Sequence, residues 1–142
     1  MSYRWLEHTS ELELHIDGPT ETAVFEFALA AVAELATGHD SQAAGGADGK
    51  REGEPVVREV TAAGSDRATL LAAFLEELVY LLETDDLVPE HVEHLKLAGN
   101  SLTATVRGHR GRPRHLIKGV TYHELMFAPS DHGFVARVVL DV

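Results

Sequence analysis

The chain has 142 residues, 12 of them Lys or Arg and 23 Asp or Glu, a balance of −11 with its 9 histidines neutral. Cysteine is absent, which excludes disulfides, thiolate metal sites, iron–sulfur clusters and cysteine nucleophiles. No apolar run approaches the ~20 residues of a membrane span, and Met1-Ser2-Tyr3-Arg4-Trp5 opens without a signal-peptide core, so the expectation is a cytoplasmic protein with no membrane contact. The acidity opposes a whole-surface grip on a phosphate backbone, leaving direct nucleic-acid binding weak. A hydrophobic content of 44% with 25% charged residues, in a chain of this size, describes one globular domain over 1–142.

Residues 3–17 read as extended. From Leu12 the chain alternates: Leu12, Leu14 and Ile16 on one face, Glu11, Glu13, His15 and Asp17 on the other, the period of a half-buried strand. Gly18-Pro19 ends it, and Thr20 caps a helix to about Ala36, with Val24, Phe27, Ala28, Ala31, Val32 and Leu35 on one face. Residues 38–54 carry five glycines (38, 45, 46, 49 and 53) and read as a long surface loop within the domain.

A strand over 55–61 follows. Ser65 is expected to cap a second helix to about Glu83, whose wide stripe of Leu71, Phe74, Leu75, Leu78, Leu81 and Leu82 faces away from Glu76-Glu77. The remainder reads as strands at about 90–98, 101–109, 116–127 and 134–142, with Asn100 at a tight turn. The class this implies is α+β: a two-layer sandwich with two amphipathic helices on a mostly antiparallel mixed sheet.

On the last strand Phe134, Ala136, Val138 and Leu140 form the apolar face, so Asp141 projects from the other side, as Glu11 does on the first strand. If those strands are neighbours, the two carboxylates and the terminal carboxylate of Val142 converge in an all-oxygen cluster suited to Ca²⁺ or Mg²⁺. Close carboxylates repel without a cation. The same acids on a solvated sheet face need no ligand, and the sequence leaves both readings open.

His91 and His94 invite a transition-metal reading, but residues three apart in a strand point to opposite faces. No Gly-x-Ser-x-Gly, P-loop, dinucleotide fingerprint or EF-hand ladder occurs. Five of the twelve basic residues fall between Arg107 and Lys118. In that stretch Arg112-Pro113-Arg114 marks a loop whose guanidinium forks suit phosphate or carboxylate of a partner, or else balance an acidic domain. Aromatic residues do not interleave with it, so a stacking platform for single-stranded RNA is not indicated.

Three pieces together resemble the archease family, small accessory proteins of the GTP-dependent RNA-splicing ligase. Glu7-His8-Thr9-Ser10-Glu11-Leu12 is similar to its E-H-T-A-D-[VIL] opening. Residues 70–84, Leu70 to Thr84, resemble its L-L-x-x-[WF]-L-x-E-L-[LIV]-[YF]-L-x-[ED]-[TS] helix. Lys118-Gly119-Val120-Thr121-Tyr122-His123 is similar to K-A-[VI]-T-Y-H and is followed by the Val138-Val139-Leu140-Asp141-Val142 ending. The order and spacing match over nearly the full chain.

The resemblance implies a non-enzymatic activator that promotes guanylylation of the ligase and its multiple turnover in tRNA splicing and RNA repair. It implies a divalent metal, Ca²⁺ first with Mg²⁺ or Mn²⁺ as alternatives, held by Glu11, Asp141 and the main-chain oxygen of Val142. Lys118 is marked as a functional base toward the ligase or nucleotide phosphates, with His8, Arg112 and Arg114 as further partner-binding candidates. The family's Ala-Asp is Ser10-Glu11 here, which sets the carboxylate one methylene further out. An alternative implied role is a chaperone-like modulator of an RNA-modifying enzyme such as a tRNA methyltransferase. A metal-dependent hydrolase is a third reading, for which the sequence supplies acids but no convincing nucleophile or general base.

Overall fold

The computed structural model of the protein describes residues 2–8, 10–37, 53–112 and 117–142. Seven strands and two helices are present among them, in the order β1 (Ser2–His8), β2 (Glu11–Gly18), α1 (Glu21–Thr37), β3 (Pro55–Ala63), α2 (Arg67–Thr84), β4 (Leu87–Ala98), β5 (Ser101–Arg110), β6 (Gly119–Ser130) and β7 (Gly133–Asp141). The strands form a four-stranded sheet, β1-β2-β7-β6, and a three-stranded sheet, β3-β5-β4, and every pairing is antiparallel.

The α+β class with two helices on antiparallel strands is as the sequence indicates. The strands divide between two sheets, where the pattern pointed to one mixed sheet. Each helix touches both: α1 packs on β4 and β2, α2 on β6 and β3. Both helices therefore bury more than a single stripe. Phe25, buried on α1, meets Phe74 of α2 edge-on at 5.9 Å and Phe127 of β6 at 5.8 Å, and Phe127 meets Phe134 of β7 at 6.0 Å. The sequence pattern put Phe27 in this place; Phe27 only borders the core. A helix that touches two sheets buries two adjoining faces, and Phe25 lies at their centre.

Local chemistry explains the element ends. The Thr20 hydroxyl accepts from the Ala23 N–H at 3.0 Å and so caps α1. The cap of α2 is Asp66 rather than Ser65. Extended at φ −153°, Asp66 accepts from the Thr69 N–H at 2.8 Å, while the Thr69 hydroxyl accepts from the Asp66 N–H at 3.0 Å, a reciprocal capping box. The Thr69 N–H, and then the Thr69 hydroxyl donating at 2.9 Å, stabilise the Asp66 carboxylate and hold its pKa below the ordinary value.

Gly99, left-handed at φ 61°, and Asn100 turn β4 into β5, and Asn100 donates to the Ser65 carbonyl at 2.9 Å, tying this hairpin to the start of α2. Gly108 is required for another reason: a Cβ there would lie 2.1 Å from the Val88 carbonyl oxygen of the neighbouring strand. The Gly-rich stretch read as a surface loop lies, apart from Gly53 and Glu54, outside the described residues.

Candidate functional site

Residues Leu14 and Ile16 of β2 are buried, as are Ala136, Val138 and Leu140 of β7. Anchoring those side chains in the core turns the alternate positions to the opposite face of the sheet, where Val139 is also buried and Glu11 and Asp141 are half-buried, and the register then decides which residues of that face meet. Glu11 pairs directly with Asp141. The Val142 N–H donates to the Ser10 carbonyl at 3.0 Å, which makes 10/142 a hydrogen-bonded position. Glu11 and Asp141, one step along, are therefore the closely spaced non-hydrogen-bonded pair, with their side chains on the same face.

Two further segments converge here. β1 and β2 form a hairpin whose turn sets His8 opposite Glu11, with Ser10 left-handed at φ 64°. On the other side Gly119 pairs with Asp141, and the Lys118 N–H donates to the Asp141 carbonyl at 2.7 Å. Ile117 is buried, which fixes the backbone of Lys118 while its side chain stays exposed. Thus Glu11, Asp141, Val142, Lys118 and the backbone of His8 gather at one end of the four-stranded sheet. The turn at Ser10 divides what the sequence pattern presents as one extended run over 3–17.

Neither Glu11 nor Asp141 has an ion-pair partner among the described residues. Like charges directly opposite on neighbouring strands repel, and a bound cation relieves that repulsion. The donor chemistry is hard oxygen throughout, which fits Ca²⁺, Mg²⁺ or Mn²⁺ and not a soft or imidazole-seeking metal. Among the described residues no three His, Asp or Glu side chains form a metal cage. A cation held by this pair would complete its shell with main-chain oxygen and water.

Arg112 stands apart from this group. It is exposed beyond β5, next to Gly111, whose N–H donates to the Asp86 carbonyl at 2.7 Å on the three-stranded sheet. Arg114 lies outside the described residues. Much of the remaining basic stretch is engaged locally: Arg107 Nε donates to Glu93 at 2.7 Å, and Arg110 reaches the Asp85 carbonyl at 3.1 Å and Glu54 at 3.4 Å. The hydrogen bond and charge of Arg107, with help from His91, hold the Glu93 carboxyl below its ordinary pKa. His91 and His94 do not form a ligand pair. His91 turns to Glu93 at 3.5 Å, and His94 sits left-handed at φ 53° in a bulge between Glu93 and Lys96.

Comparison with known proteins places this geometry in context. Residues 3–142 match the family described as the Archease protein family (MTH1598/TM1083). Protein archease of Methanosarcina acetivorans is 32% identical over 149 aligned positions, spanning 99% of this chain and 95% of that protein. Its counterpart in Methanosarcina barkeri is 29% identical with the same coverage. Among solved structures, protein 1598 of Methanobacterium thermoautotrophicum superposes with a TM-score of 0.68 at 24% identity, covering 99% of both chains. An archease from Thermotoga maritima, described as a possible chaperone, superposes with a TM-score of 0.61 at 20% identity, covering 96% of this chain and 92% of that one. These two likenesses speak to the fold.

Proposed function

The chain belongs to the archease family, and from that premise we propose that it is a non-enzymatic activator of a GTP-dependent RNA-splicing ligase. On this reading it promotes guanylylation of the ligase and its repeated turnover through a divalent-metal site. The observation that carries it is the closely spaced Glu11–Asp141 pair, with the Lys118 backbone bonded to Asp141. Two carboxylates with no ion-pair partner among the described residues, and an exposed lysine at the same sheet end, form a compact donor and cation set that core packing does not require.

Glu11 and Asp141 would hold the cation with the main-chain oxygen of Val142. A divalent ion there supplies charge that neutralises and orients phosphate oxygens. The chain's own part is positional. The Leu14 and Val138 anchors fix the two carboxylates on adjacent strands, and the turn at Ser10 keeps the end of β2 against Val142. Lys118, with its backbone held and its side chain exposed, is placed to meet an anionic group on the ligase or its nucleotide. The acidic surface of this chain favours fast docking on a basic, RNA-binding enzyme.

The test mixes this chain with the ligase at about one to ten, with GTP, Mg²⁺ or Mn²⁺, and broken tRNA halves, and follows guanylylated ligase and joined RNA. Several turnovers with the chain against one without it are expected, with the gain lost in Asp141→Ala and Lys118→Ala variants that stay folded. Full activation by both variants would overturn the site assignment. A second reading rests on the Thermotoga relative's description as a possible chaperone: the chain would act as a stoichiometric modulator of an RNA-modifying enzyme such as a tRNA methyltransferase. Activation well below one chain per enzyme separates the two, because a holding partner does not act catalytically.

A further inference from the structure

The outer face of α2 carries chemistry that neither the core nor the Glu11–Asp141 end uses. Glu76, Tyr80 and Glu83 stand at i, i+4 and i+7, one exposed helical stripe, with Glu77 beside it. Tyr80 is 59% exposed. From β6, Tyr122 is 55% exposed, and its hydroxyl donates to Glu76 Oε1 at 3.2 Å, which joins strand and helix into one surface. Of the four large hydrophobic side chains exposed among the described residues, Leu6, Val57, Tyr80 and Tyr122, two belong to this surface.

A bulge delivers Tyr122 to it. Pairing of β6 with β7 stops at Thr121 and resumes at Met126, and Glu124 between them is left-handed at φ 56°. Partial desolvation, and then the charge of Glu76, push the Tyr122 phenol above its ordinary pKa, so it remains a donor at neutral pH.

Glu76, Glu77 and Glu83 make no ion pair among the described residues, whereas Glu90, Glu93 and Asp85 of the other sheet and its margin all do. We infer that this tyrosine and glutamate surface docks an Arg- or Lys-bearing segment of a partner protein, with the cations seated on the ring faces of Tyr80 and Tyr122 and bonded at their ends by Glu76, Glu77 and Glu83. Guanidinium over a tyrosine face is attractive and pairs with carboxylates through its fork. Tyrosine also supplies contact area at low conformational cost. The negative face, on a chain of net charge −11, selects a basic occupant. The same bulge, with His123 and Glu124, guards the β6 edge against an added strand, so the docking runs through side chains. None of these residues belongs to the Glu11–Asp141 set, and the inference stands whether or not the ligase reading holds.

The test titrates the full, isotope-labelled chain with an alternating Arg–Gly decapeptide, using an alternating Glu–Gly decapeptide as control, and follows backbone amide shifts. Saturable shifts centred on residues 76–83 and 122 are expected with the basic peptide alone. Affinity should fall about five- to tenfold in Tyr80→Ala and in Tyr122→Ala, and further in a Glu76→Gln/Glu77→Gln variant. Tyr122→Phe, which keeps the ring face, should retain most of the binding. Equal binding by the parent and Tyr80→Ala would overturn the inference, as would shifts centred on Glu11 and Asp141. If sedimentation shows that Tyr80→Ala turns a self-associated form into monomer, the face is an interface between copies and the inference also fails. Tyr80, on a solvent-facing helix position, carries the test should Tyr122→Ala fail to fold.

Discussion

In the three-stranded sheet and at its margin most of the charged residues satisfy one another. Arg107 and His91 meet Glu93, His109 meets Glu90 at 3.1 Å, Arg110 meets Glu54, and Arg58 bridges to Asp85 at 3.2 Å. At the Glu11–Asp141 end of the four-stranded sheet the register brings two like charges together, with no described counterion to either. Charges of the first kind are explained by the fold itself, since exposed pairs settle a surface at little gain or loss. Charges of the second kind oppose each other across the strands, and the proposed cation would relieve that opposition.

The difference can be broken most sharply by function. Asp141→Ala should cut the extra ligase turnovers about tenfold or more, since losing a ligand costs at least as much as losing a group that supports one. Arg107→Ala should leave them unchanged. If both variants lost activation equally in the multiple-turnover assay, the contrast between the sheets would have no functional meaning.

Stability gives the next largest effect. Gly108→Ala places a methyl against the Val88 carbonyl in the centre of the three-stranded sheet, and urea unfolding should show a loss of about 1–3 kcal/mol. That sheet should suffer through packing, where the other end suffers through charge.

A smaller effect separates the two kinds of charge directly. Without divalent metal, Asp141→Asn should raise the melting temperature by about 1–3 °C, because it removes a cross-strand repulsion. Added Ca²⁺ should raise the melting temperature of the parent and leave that of the variant unmoved. A destabilised metal-free variant would show that the pair is not repulsive and would remove the physical case for a cation.

The least effect is expected in acid. The folded-state pKa values of Asp66 and Glu93 are lowered, by the Thr69 N–H and by Arg107 respectively. Such groups contribute stability that is present above the unfolded value of about 4 and lost as pH falls through the folded one. Asp66→Asn should therefore flatten the decline in melting temperature below about pH 4, with little change near neutrality because Asn caps a helix about as well as Asp. An unaltered acid limb would show that the capping box contributes little to the pH dependence.

Which residues point inward on β2 and β7 was legible in the alternation of Leu12, Leu14 and Ile16 with Glu11 and Glu13, and of Val138 and Leu140 with Asp141. The two helices were legible from their apolar spacing, and the α1 cap from Thr20. Three local readings missed for local reasons. Asp66 outcompetes Ser65 as a cap because its carboxylate completes a box with Thr69, and Phe25 replaces Phe27 at the core because α1 serves two sheets. The hairpin turn at Ser10 was hidden inside an uninterrupted extended pattern, with no glycine to mark it.

Sequence alone thus determined the class of elements, the side each strand residue faces and the acids available at the chain's two ends, because side-chain periodicity is written over a few neighbouring residues. Only the tertiary structure decided that the strands split into two sheets, that Glu11 lies opposite Asp141, and that Lys118 is bonded behind them. Register between strands more than a hundred residues apart is fixed by how the whole core packs, and a shift of one residue would turn every one of those side chains to the other face.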